Sequence, residues 1–88
     1  MEYNIVYEKN ALRNLAQIDK SQQKMIVSWI EKNLKGTTEP RRYGSPLKGS
    51  MKDYWRYRVG TYRLIAKIND NNIEIIFVNI QHRKDIYK

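Results

Sequence analysis

Apolar side chains alternate at the start of the chain, where Tyr3, Ile5 and Tyr7 recur with the period of two that puts one face of a strand against a core. From there the period lengthens. Asn10 stands as an N-cap before a short helix with an apolar stripe of Leu12, Leu15, Ala16 and Ile18. Asp19 or Ser21 restarts a second helix, which carries Met25, Ile26, Trp29, Ile30 and Leu34 at spacings of three and four. Gly36 after Lys35 is a natural stop. Two helices so joined predict an antiparallel hairpin that covers one face of a sheet.

Both prolines and two of the four glycines fall between residues 37 and 52, a long basic loop. A loop of that length is unusual in so small a domain unless it works, which makes it a candidate binding segment. Three strands are expected after it: 54–59, 61–68 and 73–80, the first two parted by Gly60 and the last two by Asn69-Asp70-Asn71-Asn72. Alternation puts Arg56 and Arg58 on one face, with Trp55, Tyr57 and Val59 on the other. In the next strand Tyr62, Leu64, Ala66 and Ile68 are apolar, while Arg63 and Lys67 point the opposite way. The last strand has Ile73, Ile75 and Phe77 on one face and Ile76, Val78 and Ile80 on the other, as suits a central, doubly covered position. The expected fold is α+β in the order β-α-α-β-β-β: an antiparallel sheet with a helix hairpin packed on one face and an open basic face. Residues 1–88 are expected to form a single domain.

Charge sharpens this division. Residues 1–40 carry six Lys/Arg and five Asp/Glu, a net of +1, whereas residues 41–88 carry eleven and four, a net of +7. Basic charge gathered on one stretch raises the local potential and draws a polyanion, and its interleaving with aromatics, as in Tyr54-Trp55-Arg56-Tyr57-Arg58, suits phosphate contact and base stacking. There is no cysteine and a single histidine, so a His/Cys zinc site cannot be assembled. Asp53, Asp70, Glu74 and Asp85 are scattered singly, which makes a two-metal nuclease site improbable. No metal and no cofactor are expected. Lack of cysteine fits a reducing cytoplasm, and neither a signal peptide nor a membrane span is expected.

Arg56, Arg58 and Arg63 on an open face invite a specific chemistry. Guanidinium groups hold phosphate through paired donors and keep their charge at physiological pH, so they suit the charge that develops on a phosphorane. Converging without metal, they point to phosphodiester transfer with the RNA 2′-hydroxyl as internal nucleophile. His82 is the residue type that exchanges protons near neutral pH, and with Arg83 and Tyr87 it is expected close by at the end of the last strand. The plainer alternatives are a solvated strand face, an ordinary exposed histidine and a C-terminal tyrosine tucked against the sheet.

Three runs then carry a resemblance: Pro46-Leu47-Lys48-Gly49, Trp55-Arg56-Tyr57-Arg58-Val59-Gly60-Thr61-Tyr62-Arg63-Leu64-Ile65, and His82-Arg83-Lys84-Asp85-Ile86-Tyr87. Together they resemble the RelE/ParE superfamily of type II toxin–antitoxin toxins, more closely its RelE branch, over essentially the whole chain. The resemblance implies a metal-independent endoribonuclease, an mRNA interferase that cuts the codon in the ribosomal A site to leave a 2′,3′-cyclic phosphate and a 5′-hydroxyl. The catalytic set it implies is Arg58, Arg63, Arg83 and Tyr87, to which the residue reading adds His82. Arg41, Arg42, Lys48, Lys52, Arg56 and Lys84 are expected to bind RNA, whether message or 16S rRNA. It further implies an acidic RelB-like antitoxin wrapped over the basic surface, and operator DNA bound by the pair. The family's best-known member has lysines on the first meander strand where this chain has arginines, which are poor general bases. Lys48, Lys52, Lys84 or His82 is left to supply the base, unless electrostatics suffice. Two other readings compete: a ParE-like poison of DNA gyrase that cuts no RNA, and a passive nucleic-acid-binding module.

Overall fold

Among residues 1–83, which the computed structural model describes, the order is β1 (Asn4–Tyr7), α1 (Lys9–Ala16), α2 (Lys20–Asn33), β2 (Ser45–Pro46), a single 3₁₀ turn (Gly49–Met51), β3 (Trp55–Val59), β4 (Tyr62–Asn69) and β5 (Glu74–His82). The strands form one sheet in the order β1-β5-β4-β3-β2. The expected α+β fold holds, with one correction to the antiparallel sheet: β1 pairs with β5 in parallel, Asn4 opposite Glu74 through Tyr7 opposite Phe77. The helix pair carries the chain across the sheet from β1, and the two hairpin reversals β3–β4–β5 leave β5 running as β3 does, beside β1. The short β2, on the far edge, was not expected.

The core lies between the sheet and the helices. Tyr57, Val59, Leu64, Ala66, Ile75, Phe77 and Ile80 meet Ala11, Ile26, Ile30 and Leu34, all essentially without solvent contact. Ile26, Ile30 and Leu34 follow one another at four-residue steps, so the second helical stripe is as expected. The first is rotated. The helix is capped at Glu8 and not at Asn10, so Ala11, Leu15 and Ile18 turn inward while Leu12 is 51% exposed. Gly36, at φ +75°, ends the helical run, and the chain then pairs with the start of β1: the Gly36 N–H donates to the Tyr3 carbonyl and the Tyr3 N–H to that of Thr37.

The first part of the long loop is tied down. The buried Tyr57 hydroxyl donates to the Pro40 carbonyl, and Arg41 makes a two-point ion pair with Asp70, at 3.1 and 2.9 Å. Asp70 also accepts a 2.6 Å bond from the Tyr3 hydroxyl. The turn after β4 reaches Ile73, one residue into the expected strand, and that β-branched residue sits at φ +58°.

β5 departs most from simple alternation. Ile65 faces Asn79 but the next residue of β4, Ala66, faces Phe77, so Val78 is an extra residue without a partner, a β-bulge. It shifts the faces of Asn79 to His82. Ile80 joins Ile75 and Phe77 in the core instead of the opposite face. The edge of β5 beyond β1 is covered by α1: Asn10 Nδ2 donates to the Val78 carbonyl and the Ile80 N–H donates to Asn14 Oδ1, both at 3.0 Å.

Candidate functional site

On the sheet face away from the helices, directly opposed residues run in rows across three strands. Arg58 lies opposite Arg63, and Arg63 opposite Gln81; in the next row Arg56 lies opposite Ile65, and Ile65 opposite Asn79. Three guanidinium groups are thus delivered to one end of this face, Arg58 exposed and Arg56 and Arg63 half-buried. Arg56 donates to Ser45 Oγ at 2.8 Å, a contact supplied by the pairing of β2 with β3. Its guanidinium lies below the ordinary arginine value, first because burial penalises its charge and then because Arg58 and Arg63 repel it. Among the described residues no ion pair involves any of the three. Mutual repulsion without an acidic counter-charge is unfavourable for the free chain, and an anion bound between the strands would relieve it.

Gly44 makes the approach of β2 possible. At φ +78° its backbone runs so close to β3 that a methyl group would overlap the Arg56 carbonyl. The preceding carbonyl, of Tyr43, accepts the Trp55 indole N–H at 2.7 Å. Beyond the end of β2 a cleft of about 580 Å³ opens along β3, lined by Trp29, Tyr43, Gly44, Ser45, Arg56 and Arg58. Tyr43, 37% exposed, meets Trp29 edge-on at 5.8 Å and has the Arg42 guanidinium 6.0 Å from its ring. An exposed aromatic beside two arginines is a surface on which a base can stack while its phosphate is held.

The remaining expected residues divide. Arg83 follows the strand, its N–H still bonded to the Thr61 carbonyl at 2.8 Å, two residues on from Gln81 and so at the arginine end of the sheet. His82 does not join the arginines. It lies opposite Tyr62, on the helix side, with the two rings edge-on at 5.0 Å and Nε2 3.3 Å from Thr61 Oγ1. The cause is the bulge at Val78, which exchanges the faces of residues 81 and 82 relative to unbroken alternation. Arg41 is held by Asp70 and braces the fold. Arg42, Lys48 and Lys52 are exposed on the loop before β3, Lys48 and Lys52 flanking the 3₁₀ turn. Lys84 and Tyr87 lie outside the described residues. No cluster of three or more metal-ligating side chains occurs among the described residues, and none of the described helices is long and apolar enough to cross a membrane. Gln81 and Tyr43 were missed, Gln81 because the bulge hides its face.

Comparison with known proteins is consistent across sequence and structure. The family model described as the ParE toxin of type II toxin–antitoxin systems matches residues 5–87. Toxin RelG of Mycobacterium tuberculosis is 30% identical over 88 residues, 100% of this chain and 99% of that protein. The toxin–antitoxin complex RelBE2 of the same organism contains a chain that superposes with a TM-score of 0.85 at 26% identity, covering 94% of this chain and 100% of that one. Escherichia coli toxin RelE, in a free mutant form, superposes with a TM-score of 0.75 at 18% identity over 99% of this chain and 92% of its own, a likeness of fold.

Proposed function

The chain belongs to the ParE toxin family of type II toxin–antitoxin systems, and from that premise we propose that it acts in the cytoplasm as a metal-independent endoribonuclease that cuts mRNA in the ribosomal A site. The observation that carries this reading is the meeting of Arg56, Arg58 and Arg63 on one open face, close enough for their charges to oppose one another and without a carboxylate partner among the described residues.

The 2′-oxygen attacks the adjacent phosphorus and the P–O5′ bond breaks, leaving a 2′,3′-cyclic phosphate; the 2′-proton must leave and the departing 5′-oxygen must gain one. Arg63 and Arg58, facing each other across β3 and β4, grip the non-bridging oxygens, whose charge grows at the phosphorane. Arg56 and Arg83 extend the cradle along the message, and Tyr43 offers a ring to a neighbouring base. Because His82 faces the helices, we assign proton transfer elsewhere, to Lys48, Lys52, Lys84 or Tyr87, or to electrostatic stabilisation strong enough to let water serve. Arg42, Lys48, Lys52 and Lys84 contact message or 16S rRNA. The toxin–antitoxin complex RelBE2 and the archaeal RelE–RelB complex of Pyrococcus horikoshii support a RelB-like antitoxin as the partner; we take that antitoxin to be acidic, to match the basic face, and assign operator DNA to the pair.

Primer extension on a translated message, with and without ribosomes, tests this directly. Cleavage within codons that requires ribosomes and disappears in Arg63→Ala is expected; uncut message with the wild-type chain would overturn it. The ParE match favours one second reading, a poison that binds DNA gyrase. A supercoiling assay separates them, since loss of gyrase activity with intact RNA belongs to that reading alone.

A further inference from the structure

The pairing of β1 stops at Tyr7 opposite Phe77, with one more bond from the Glu8 N–H to the Phe77 carbonyl at 2.9 Å. β5 continues to His82 with no further strand beside it among the described residues. Up to this point the odd residues bond toward β1, since the Ile73 and Phe77 carbonyls accept from Asn4 and Glu8. Beyond Val78 the roles are exchanged. Arg83 bonds toward β4, and Val78 and Ile80 turn their polar groups to the outer edge, where Asn10 and Asn14 meet them. The two asparagines are one helical turn apart, with Nδ2 of the first 3.5 Å from Oδ1 of the second. Side chains of α1 thus take the place of a strand, with Asn10 supplying a donor and Asn14 an acceptor.

We propose that Asn10 and Asn14 are positioning residues that lock the bulge of β5 and thereby decide which side chains at its end face the arginines. Unclamped, the Val78 carbonyl and Ile80 N–H lose their partners, and the packing of Ile80 in the core is left to oppose loss of the bulge without help from that edge. A one-residue slip turns Gln81 and Arg83 toward the helices and His82 toward Arg63. The effect on cleavage rests on the ribonuclease reading; the register lock does not.

The same substitution at the two positions gives opposite results. Asn14→Asp keeps an oxygen for the Ile80 N–H, whereas Asn10→Asp removes the donor and sets a carboxylate against the Val78 carbonyl. Effects on the helix run the other way, because a carboxylate is favoured in the first turn, at residue 10, and disfavoured in the last, at residue 14. In the purified chain, NMR reads the register through the close Hα–Hα contact expected between the opposed residues Tyr62 and His82, and reads the clamp through amide exchange of Ile80. Asn14→Asp should keep both and cleave within about threefold of wild type. Asn10→Asp should lose the Tyr62–His82 contact and cleave roughly 100-fold more slowly, the penalty typical of a misplaced site, and its melting temperature should fall despite the favourable first-turn carboxylate, because the slip takes Ile80 out of the core. Asn10→Ala, which adds no charge, should behave as Asn10→Asp and decides the matter if that variant does not fold. Retention of the Tyr62–His82 contact in both Asn10 variants, or its loss in Asn14→Asp, would overturn the proposal. A wild-type chain that cuts no RNA would remove the cleavage arm only, since contact and exchange still decide whether the clamp exists.

Discussion

Arg63 and His82 stand one strand apart in the sheet yet on opposite faces, and that difference separates their expected roles. Arg63→Ala should lower cleavage by roughly 100- to 1000-fold, the loss typical when one donor to a developing oxyanion is removed, and leave the melting temperature within a few degrees, since the side chain lies outside the core. His82→Gln should leave cleavage within about threefold, as measured on the same message. Asp70 illustrates the other use of charge. Bonds from Arg41 and then Tyr3 hold its carboxyl below the usual carboxylate range. A folded value below the unfolded one means that the stabilisation is present above about pH 4 and is lost as pH falls through the folded value. Asp70→Asn should therefore show a shallower loss of melting temperature between about pH 5 and 2 than wild type. Tyr57 gives the opposite sign. Burial raises its hydroxyl above the ordinary phenol value, so stability declines as the pH rises past about 10.

The elements were legible wherever one face is apolar and the other polar. Both helices, the β3–β4 hairpin at Gly60 and the oily and basic faces of the sheet follow from spacing alone, because burying one face fixes register. β5 escaped this logic. With Ile75, Ile76, Phe77, Val78 and Ile80 nearly every position is apolar, so period two carries no phase and the slip at Val78 is invisible. The slip is recorded instead in Asn10 and Asn14 on the short first helix, of which the sequence offers Asn10 only as a cap. The loop from 37 to 52 reads as a candidate binding segment, and the anchoring of its first part is not legible because the partners, Asp70, Tyr57 and Tyr3, are remote in sequence. Gly44 within it gives a sharp test. Gly44→Ala strains a left-handed residue and overlaps a backbone carbonyl that has no flexible end to move, so β2 must part from β3. It should destabilise the chain by about 1–3 kcal/mol in urea titrations and lower cleavage as well, since Arg56 then loses Ser45.

A net charge of +8 on 88 residues acts at the scale of the whole molecule, and on the proposed ribonuclease reading it governs the encounter with RNA. Seven of those charges were placed in the second half by counting, yet counting could not tell a brace from a contact: Arg41 is spent on Asp70, while Arg42, Lys48 and Lys52 stand exposed on the approach to β3. The distinction has a measurable form. Each cation that neutralises a phosphate releases condensed counterions, so the logarithm of the binding constant for single-stranded RNA falls with the logarithm of salt by about 0.7 per contact. Replacing Arg42, Lys48 and Lys52 together by alanine should lower that slope by about 2, with similar weakening on every sequence, and should leave the cleavage rate of bound RNA unchanged if none of the lysines is the base. Arg41→Ala should leave the slope unaltered and lower the melting temperature instead, because its guanidinium is already matched by a carboxylate that would otherwise stand close to Tyr3. A slope that changes with Arg41 and not with the triple variant would mean that the message crosses the other edge of the sheet, away from β3.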